Sequence, residues 1–448
     1  MNDAGADVSK NVFVVGADPF NMAKMRSVEI DADYQLHELL SFDEVKGKGF
    51  YPVEQCLTTA RERLDAFDGP IDAILGYWDF PVTVMIPILC REYGLPSPSL
   101  ESVLRCEHKY WSRIEQRKVI PDMTPRFDAV DPFDDAAVDA IGIPFPYWIK
   151  PIKGTDSLLA FKVRNRRELN DSIGRIRERI DRIGRPFDQI LSHAKLPEGI
   201  AGIGGHHCII EESVGGRQCT IEGYVCKGQP HHHGIIDSIN YPKRSSFLRY
   251  QYPSLLPKRV KERIREATER LLCHLGYDNA TYNVEYFFQP KTERLMLLEI
   301  NPRLSQSHSD MFEKVDGASN FQIMLELALG REPEFPLRRG RFGCAAKFHV
   351  RVFEDGIVTH VPDSADLQRI QERFPETLVE LKVEQGTRLS EMLEQDSYSY
   401  DIAHIHTGAR DRKTLLEKYN RILQALHFDF GPVPGESVEA PEVEEIAS

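Results

Sequence analysis

The sequence predicts a fold of mixed class, in which an α/β domain is followed by larger α+β regions. Its 448 residues are enough for about two or three domains. Between residues 11 and 105, apolar runs that end in glycine alternate with helical segments, which is typical of a parallel sheet covered by helices. Further along, apolar runs separated by turn residues predict antiparallel strands.

The composition excludes several classes of protein. A hydrophobic content of 41% and a charged content of 28% are ordinary for a soluble globular protein. The net charge of −13, with no basic block, argues against a nucleic-acid partner. No apolar run approaches the roughly 18 residues of a membrane span, and residues 1–10 lack the apolar core of an export signal. The 8 cysteines are scattered without a C-x-x-C pair, so we expect reduced thiols and a cytoplasmic location.

The elements are predicted in order from hydrophobic periodicity and from glycine and proline stops. No G-x-G-x-x-G follows the first strand, so a dinucleotide site is not expected. The predicted strands are 11–16, 71–76, 147–151, 158–163, 209–214, 283–289, 294–300 and 344–352. The predicted helices are 81–93, 106–119, 166–184, 258–275, 320–329 and 412–426.

The hairpin formed by strands 283–289 and 294–300 carries the strongest chemical signal. If its turn centres near Thr292, Glu285 and Glu299 lie directly opposite each other. Opposed residues in an antiparallel pair have Cβ atoms about 5 Å apart. Two carboxylates at that distance repel each other unless a divalent cation lies between them, although an acidic surface hairpin has the same pattern.

Asn301 and Arg303 extend this pattern. Asn301 lies two residues after Glu299, so it projects from the same face of the strand. Two carboxylates and an amide oxygen form a hard oxygen site that suits Mg²⁺ bound together with substrate phosphates, with Mn²⁺ as an alternative ion. Arg303 adds a fixed cation beside this site.

Two upstream segments are weaker signals. Lys150 ends a strand and precedes a polar loop whose backbone N–H groups suit phosphate oxygens. That loop contains Gly154, Thr155, Asp156 and Ser157. The second segment, Glu211-Glu212-Ser213-Val214, ends a strand where a hinge could meet the edge of a purine. Taken alone, the first segment favours a solvated charge at a strand edge, and the second favours a plain strand end and turn.

In order and spacing, these segments resemble the ATP-grasp superfamily over about residues 10–430, and most of all its carboxylate–amine ligases and biotin-carboxylase-like members. The acids followed by E-x-N-P-R carry the most specific part of the resemblance. It implies a pre-ATP-grasp α/β domain, a two-lobed ATP-grasp clamp and a small C-terminal α+β domain. The implied divisions are 1–10 (disordered), 11–105 (pre-ATP-grasp), 106–205 (first lobe), 206–335 (second lobe with the metal site), 336–430 (biotin-carboxylase-like) and 431–448 (disordered acidic tail).

The resemblance also implies roles for individual residues. ATP would be bound by Lys109, Lys150, Gly154, Thr155, Asp156, Ser157, Glu211, Glu212, Ser213, Val214 and Gln218. Gln218 stands where many members have a ribose-binding glutamate, and the phosphate loop has fewer glycines than is usual. Glu285, Glu299 and Asn301 would hold the metal, and Arg303 would stabilise an acyl phosphate. His308 follows closely and is predicted either to orient a carboxylate or move a proton, or to be a structural histidine.

These assignments predict an ADP-forming, ATP- and Mg²⁺-dependent ligase that joins a small-molecule carboxylate to an amine. The resemblance to biotin-carboxylase-like members also implies a homodimer. A bicarbonate-dependent carboxylase of biotin-carboxylase type and a non-catalytic ATP-binding regulatory protein are the alternatives. The segment Tyr77-Trp78-Asp79-Phe80 follows a strand and is predicted either to face the substrate or to pack in the core.

Overall fold

The computed structural model describes residues 9–47, 50–154, 158–244, 246–392, 395 and 399–433. Thr155, Asp156 and Ser157 of the predicted phosphate loop lie outside this range, as does most of both predicted disordered termini. Lys10 and Gly431, which were predicted to be disordered, instead belong to strands. No helix in the described segments is long and apolar enough to span a membrane.

A parallel sheet with strand order β2-β1-β3 forms the centre of the first domain. Val12 and Val14 point to one face of β1, Phe13 and Val15 point to the other, and all four side chains are buried. Both faces are therefore covered, as predicted for an α/β domain. The elements are β1 (Lys10–Ala17), α1 (Pro19–Arg26), β2 (Tyr34–Ser41), α2 (Phe42–Lys46), α3 (Val53–Asp65), β3 (Ala73–Leu75) and α4 (Val82–Tyr93).

The next region contains an antiparallel sheet with strand order β4-β7-β5-β6. The predicted helix 106–119 is interrupted at His108, whose Nδ1 accepts a hydrogen bond from the backbone N–H of Trp111 and so caps the second half. The elements are α5 (Leu100–Glu107), α6 (Lys109–Val119), β4 (Phe127–Val130), α7 (Asp135–Asp139), β5 (Tyr147–Pro151), β6 (Phe161–Val163), α8 (Arg166–Arg179), α9 (Asp181–Ser192), α10 (Glu198–Ala201) and β7 (Cys208–Glu212).

A large sheet with strand order β12-β11-β8-β9-β10-β13-β16-β15 dominates the rest of the described chain. Its first part comprises β8 (Arg217–Cys226), β9 (Gln229–Asn240), β10 (Phe247–Tyr252), α11 (Lys258–Leu275), β11 (Ala280–Gln289), β12 (Arg294–Asn301), α12 (Gln306–Asp316) and α13 (Asn320–Ala328). The later part of the chain adds β13 (Cys344–Val352), α14 (Ser364–Arg373), β15 (Leu378–Leu381), β16 (Tyr400–Ala409) and α15 (Arg412–Leu423). In the same part, β14 (Ile357–His360) and β17 (Asp429–Gly431) form a separate two-stranded sheet. The pairing of Tyr250 with Lys347 carries this sheet across the predicted boundary at residues 335 and 336.

The pairing of Glu285 with Glu299 is confirmed, but a bulge produces it. The turn is one residue tighter than assumed, because Gln289 pairs with Arg294 and Tyr286 pairs with Leu297. Leu298 is the extra residue of the bulge, and it returns Glu299 to a position opposite Glu285. The two carboxylates therefore share one face of the sheet.

Helix α12 was not predicted from the sequence. It begins at Gln306, directly after the Arg303 segment, and packs on β10, β13 and β16. Its apolar side chains Met311, Phe312 and Val315 are buried against Ile236 and Tyr252. The neighbouring α13 packs against both β3 and β11, so it connects the first domain to the strand that carries Glu285.

We expect Gly223→Ala to lower the free energy of unfolding by about 3 kcal/mol, a typical cost of overpacking a buried site. Gly223 lies in β8, where an added Cβ would stand 1.9 Å from the backbone oxygen of His231 on the paired strand. Gly174→Ala is the control, because its Cβ would meet nothing within 4 Å and alanine favours the surrounding helix α8. Urea unfolding measures both variants, and equal stability of Gly223→Ala and the parent would contradict the close packing.

Candidate active site

Basic and acidic side chains from three parts of the chain meet between α6, the β5–β7 pair and the β11–β12 hairpin. Each of the basic side chains is bonded to a carboxylate. The basic members are Lys109, Arg113, Lys150, Lys153 and Arg303. The acidic members are Asp79, Glu107, Glu211, Glu285 and Glu299.

Lys109 connects the predicted phosphate loop to the predicted metal site. It is the first residue of α6, and its buried Nζ donates to the backbone oxygen of Gly154 at 2.9 Å. The same Nζ lies 3.0 Å from Oε1 of Glu299. Burial lowers the pKa of Lys109, and the nearby charges of Lys153 and Lys150 lower it further, against the attraction of Glu299. An anionic group that entered here would find the ammonium already held in place.

Lys150 and Arg113 both bond the buried carboxylate of Glu211. Lys150 Nζ lies 2.7 Å from one oxygen and Arg113 Nε lies 2.5 Å from the other. Burial acts to raise the pKa of Glu211, but Arg113 and Lys150 together lower it to about 2. The carboxylate is therefore ionised at neutral pH and orients both cations.

Arg113 was not predicted as a site residue from the sequence. It lies one helical turn after Lys109 on α6 and therefore on the same face of the helix. Its guanidinium also donates to the backbone oxygens of Leu297 and Leu298, at 3.0 Å and 2.7 Å. One buried side chain thus joins the end of β7 to the bulge in β12. The (i, i+4) spacing of Lys109 and Arg113 was the signal that could have identified it.

The other predicted hinge residues follow Glu211. The carboxylate of Glu212 bonds Arg126 at 2.8 Å and Arg294 at 2.5 Å, so its side chain joins the two lobes at the surface. The backbone N–H of Ser213 donates to the oxygen of Pro146 at 3.4 Å. Val214 is partly buried in the link to β8. Their role in holding a base stays a prediction.

The predicted metal ligands Glu285, Glu299 and Asn301 lie together. Asn301 Nδ2 donates to Glu285 Oε1 at 3.2 Å, which leaves Asn301 Oδ1 for a cation. Gln218, predicted to bind ribose, instead donates from Nε2 to Glu285 Oε2 at 2.7 Å. This set of carboxylate and amide oxygens fits Mg²⁺.

The two glutamates have different electrostatic surroundings. Burial and the facing charge of Glu299 raise the pKa of Glu285. Burial acts in the same direction on Glu299, but Lys109 and Lys150 lower its pKa overall. Among the described residues, Glu285 is therefore the carboxylate of the two that is not seen in an ion pair, although the charge of Arg303 acts to lower its pKa, and a divalent cation between the two would compensate its charge.

Arg303 is bonded to the first domain. Its Nη2 lies 2.9 Å from Oδ2 of Asp79, whose other oxygen lies 3.0 Å from Lys153 Nζ. Lys153 is buried and also lies 3.1 Å from Glu107. Although burial acts to raise the pKa of Asp79, Lys153 and Arg303 lower it. The carboxylate of Asp79 is therefore bonded to Arg303 in the way that a substrate carboxylate would be under the predicted role.

Residues 77–80 were predicted either to face the substrate or to pack in the core, and different residues of the segment do each. Tyr77 and Phe80 are buried in the core, and Trp78 packs on Phe42 with ring centroids 4.4 Å apart. Of this segment, Asp79 is the residue whose side chain joins the site. The core interpretation is correct for the aromatic residues, and the acid faces Arg303.

His308 is buried in the first turns of α12. Its Nδ1 lies 2.7 Å from Oε2 of Glu222, a fully buried carboxylate that also accepts hydrogen bonds from Asn320 and from the backbone N–H of Ser305. This network holds the start of α12 on β8. These contacts are those expected of a structural histidine, and the roles of His308 in orienting a carboxylate or moving a proton stay predictions.

The paired side chains leave little free space. The cavity bounded by Lys109, Arg113, Lys150, Glu211 and Glu299 has a volume of about 10 Å³, which is about the room that one water needs. A phosphate chain can therefore enter only as these ion pairs separate.

Comparisons with known proteins identify the fold of the chain. Residues 143–310 match the ATP-grasp domain family model. The L-amino acid ligase from Bacillus licheniformis is similar in structure, with a TM-score of 0.68 and 15% sequence identity over 94% of this chain and 98% of that one. The biotin carboxylase domain of a 2-oxoglutarate carboxylase from Hydrogenobacter thermophilus, solved with MgADP, ADP and bicarbonate, has a TM-score of 0.62 and 16% identity over 94% and 91% of the two chains. Both likenesses establish the fold.

Sequence relatives match shorter parts. The carbamoyl phosphate synthase large chain of Archaeoglobus fulgidus is 24% identical over 247 residues, which are 53% of this chain and 20% of that protein. The chain spans a fifth or less of the length of the curated relatives that it matches first.

We expect Mn²⁺ affinity, measured beside a non-hydrolysable ATP analogue, to fall as the pH drops through the raised pKa of Glu285. The metal binds the ionised carboxylate, so affinity is complete above that pKa and lost below it. Gln218→Ala removes the hydrogen bond that favours the ionised form, so the midpoint should move to higher pH. Electron paramagnetic resonance titration between pH 4 and 8 measures this, and a midpoint that does not move would contradict the assignment.

Proposed function

Residues 143–310 form an ATP-grasp domain in a chain with the ATP-grasp fold, and from this premise we propose that the protein is an ADP-forming, Mg²⁺-dependent ligase that joins a carboxylate to an amine. The observation that carries the proposal is the position of Glu285 and Glu299 between Lys109 on one side and Arg303 on the other. Metal-binding oxygens, phosphate-binding cations and a cation for a carboxylate are thus adjacent. Mn²⁺ as a substitute ion, a homodimer and a cytoplasmic location belong to the same proposal.

Each residue has a role in this mechanism that follows from its contacts. Glu285, Glu299 and Asn301 would hold the metal, which releases Lys109 from Glu299. Lys109 and Lys150 would then hold phosphate oxygens. When bound, MgATP would supply the phosphoryl group that converts the substrate carboxylate into an acyl phosphate and would leave as ADP. The amine would then attack the acyl carbon and displace inorganic phosphate, which gives the amide.

Arg303 would contribute after an exchange of partners. In the free chain it is bonded to Asp79 at 2.9 Å, and the incoming carboxylate would replace that contact. Positive charge fixed at this point stabilises the negative charge that develops on the acyl phosphate. Lys153 keeps Asp79 ionised and in place during the exchange.

Measurement of ADP release tests the proposal. The protein is incubated with MgATP and pooled carboxylates and amino acids, then with bicarbonate alone, and hydroxylamine is added to trap any acyl phosphate. We expect ADP release that depends on a carboxylate and an amine, together with a hydroxamate product. Release that depends on bicarbonate alone would favour the carboxylase alternative, and no release with any pool would favour the regulatory one.

We expect Glu299→Ala to lower ADP release by about a hundredfold or more, as is typical when a preorganised charge interaction is removed. Glu313→Ala is the matched control, because Glu313 is an exposed glutamate on the nearby helix α12. Circular dichroism should show the same fold in both variants. Full ADP release by folded Glu299→Ala would refute the metal assignment.

We expect Arg303→Ala to retain ATP affinity within about threefold but to lose product formation, because the guanidinium faces the carboxylate substrate and not the nucleotide. Calorimetry with a non-hydrolysable ATP analogue and hydroxamate trapping measure the two effects separately. Arg61→Ala serves as a surface control, since Arg61 pairs with Glu92 on the outside of the first domain. Weakened ATP binding with unchanged turnover would reverse the assigned role.

A further inference from the structure

Lys347 is a buried ammonium that lacks a carboxylate partner. Its side chain lies on β13 and is 7% exposed. Its Nζ donates to Oγ of Ser307 at 3.0 Å, and no carboxylate of the described residues is within ion-pair distance. A buried charge is costly unless an opposite charge compensates it. The position therefore favours a bound anion.

Charged groups surround Lys347 without contacting its ammonium. Burial lowers the pKa of Lys347 to about 8, against the attraction of Asp401 and Glu380. The titratable groups on the elements packed around it are Lys24 on α1, His308, Asp310 and Lys314 on α12, Tyr250 on β10, His349 and Arg351 on β13, Glu380 and Lys382 on β15, and Asp401, His404 and His406 on β16. The three acids in this set are bonded to other basic side chains, which leaves Lys347 for a ligand.

The carboxylates near Lys347 are already engaged. Asp401 Oδ2 lies 2.7 Å from His349 Nδ1 and 2.9 Å from His404 Nε2, and it also bonds Arg351. Glu380 bonds His404 and Lys382.

The N-terminus of α12 faces the same point. The helix has 11 residues and no side-chain cap at Ser305. In the described part of the chain, the backbone N–H groups of Gln306 and Ser307 have no protein acceptor. Uncapped N–H groups and the positive end of the helix dipole favour an anion, and the Lys347–Ser307 contact aims the ammonium at this turn.

His406 supplies a second unsatisfied donor. It pairs with Lys347 across β13 and β16 and is 3% exposed, and neither ring nitrogen has a hydrogen-bond partner. Its Nδ1 lies 4.0 Å from Oδ2 of Asp310, too far for a hydrogen bond. Burial lowers the pKa of His406, and Lys347 and Lys24 lower it further. The imidazole is therefore neutral at neutral pH, which leaves one ring N–H to donate to an anion.

The distance from the metal carboxylates indicates which anion fits. Gln218, Ser238, Tyr250 and Lys347 form one row across neighbouring strands of the large sheet. Strands lie about 4.8 Å apart, so three steps separate Gln218 from Lys347 by about 14 Å along the sheet. Lys347 is thus too distant for metal-bound phosphates, while Ser307 is only four residues after Arg303.

We propose that Lys347, Ser307, His406 and the first turn of α12 bind a carboxylate that is not activated, so that one substrate is an α-amino acid or another molecule with a second, spectator carboxylate. This inference rests on the proposed function, since Arg303 and the metal site would hold the reacting groups. It makes Lys347 a determinant of substrate class.

Acetate is the probe for this subsite, and acetamide is its neutral counterpart. The full-length protein, with a non-hydrolysable ATP analogue and Mg²⁺, is titrated with each by saturation-transfer NMR. We expect saturable binding of acetate and none of acetamide. Affinity should fall about fivefold from pH 8 to pH 9, because the ammonium is lost above its pKa of about 8.

Substitutions of Lys347 distinguish an effect of its positive charge on acetate binding from a general effect on the structure. We expect Lys347→Met to weaken acetate binding at least tenfold and Lys347→Arg, which keeps the charge, to restore most of it. Lys382→Met is the matched control, because Lys382 is a neighbouring lysine with its own ion pair to Glu380. Acetate binding by Lys347→Met equal to that of the parent, or no saturable binding by the parent, would overturn the subsite.

A second measurement tests the substrate assignment. With an amino acid that supports ADP release, Lys347→Met should raise the KM for that amino acid at least tenfold with little change in kcat. The KM for the corresponding amide should not change. Loss of acetate binding with unchanged KM values would overturn the spectator role. If the parent releases no ADP with any pool, the proposed function fails, and the acetate titration still decides whether Lys347 holds a carboxylate.

Discussion

The site depends on one constraint, which is that buried charges need partners whether or not a ligand is present. Lys109 lies 3.0 Å from Glu299 in the free chain, so each compensates the charge of the other. A metal would replace Lys109 at Glu299, and a phosphate would replace Glu299 at Lys109. The site can thus be assembled before the nucleotide arrives, and binding exchanges partners without creating new buried charges.

The same principle extends to Arg303 and Asp79, which belong to different domains. Asp79 follows β3 of the parallel sheet, and Arg303 follows β12 of the large sheet. The first domain therefore contributes directly to the site. It also contacts α13, which packs on both β3 and β11.

The hairpin shows how much the sequence could predict. Alternation and turn residues located both strands, and the pairing of Glu285 with Glu299 was correct. The bulge at Leu298 was not predictable, because the side chain that bonds its carbonyl groups is Arg113, 184 residues away along the chain. Local patterns give strand positions, whereas a bulge held by a distant side chain depends on tertiary contacts.

The region of Lys347 shows the opposite case. Lys347, His349 and Arg351 alternate with apolar residues on β13, a pattern that in the sequence indicates a solvent-exposed face. The strand was predicted with its observed bounds, but α12 was missed, and α12 covers that face. The alternation of polar and apolar residues does not show that α12 covers the polar face of β13. The candidate ligand site was therefore not predicted from the sequence.

The contacts of Arg113 constrain how long a nucleotide the proposed site would accept. It bonds Glu211 at the hinge and two successive carbonyl oxygens beside the metal carboxylates. Successive carbonyl groups in a regular strand point in opposite directions, so the bulge lets a single guanidinium bond both. One side chain thus fixes the separation between Glu211 and the bulge beside the metal carboxylates. Under the proposed function, that separation would set the distance between a base at the hinge and the terminal phosphates, and a nucleoside diphosphate would leave the outermost phosphate position empty.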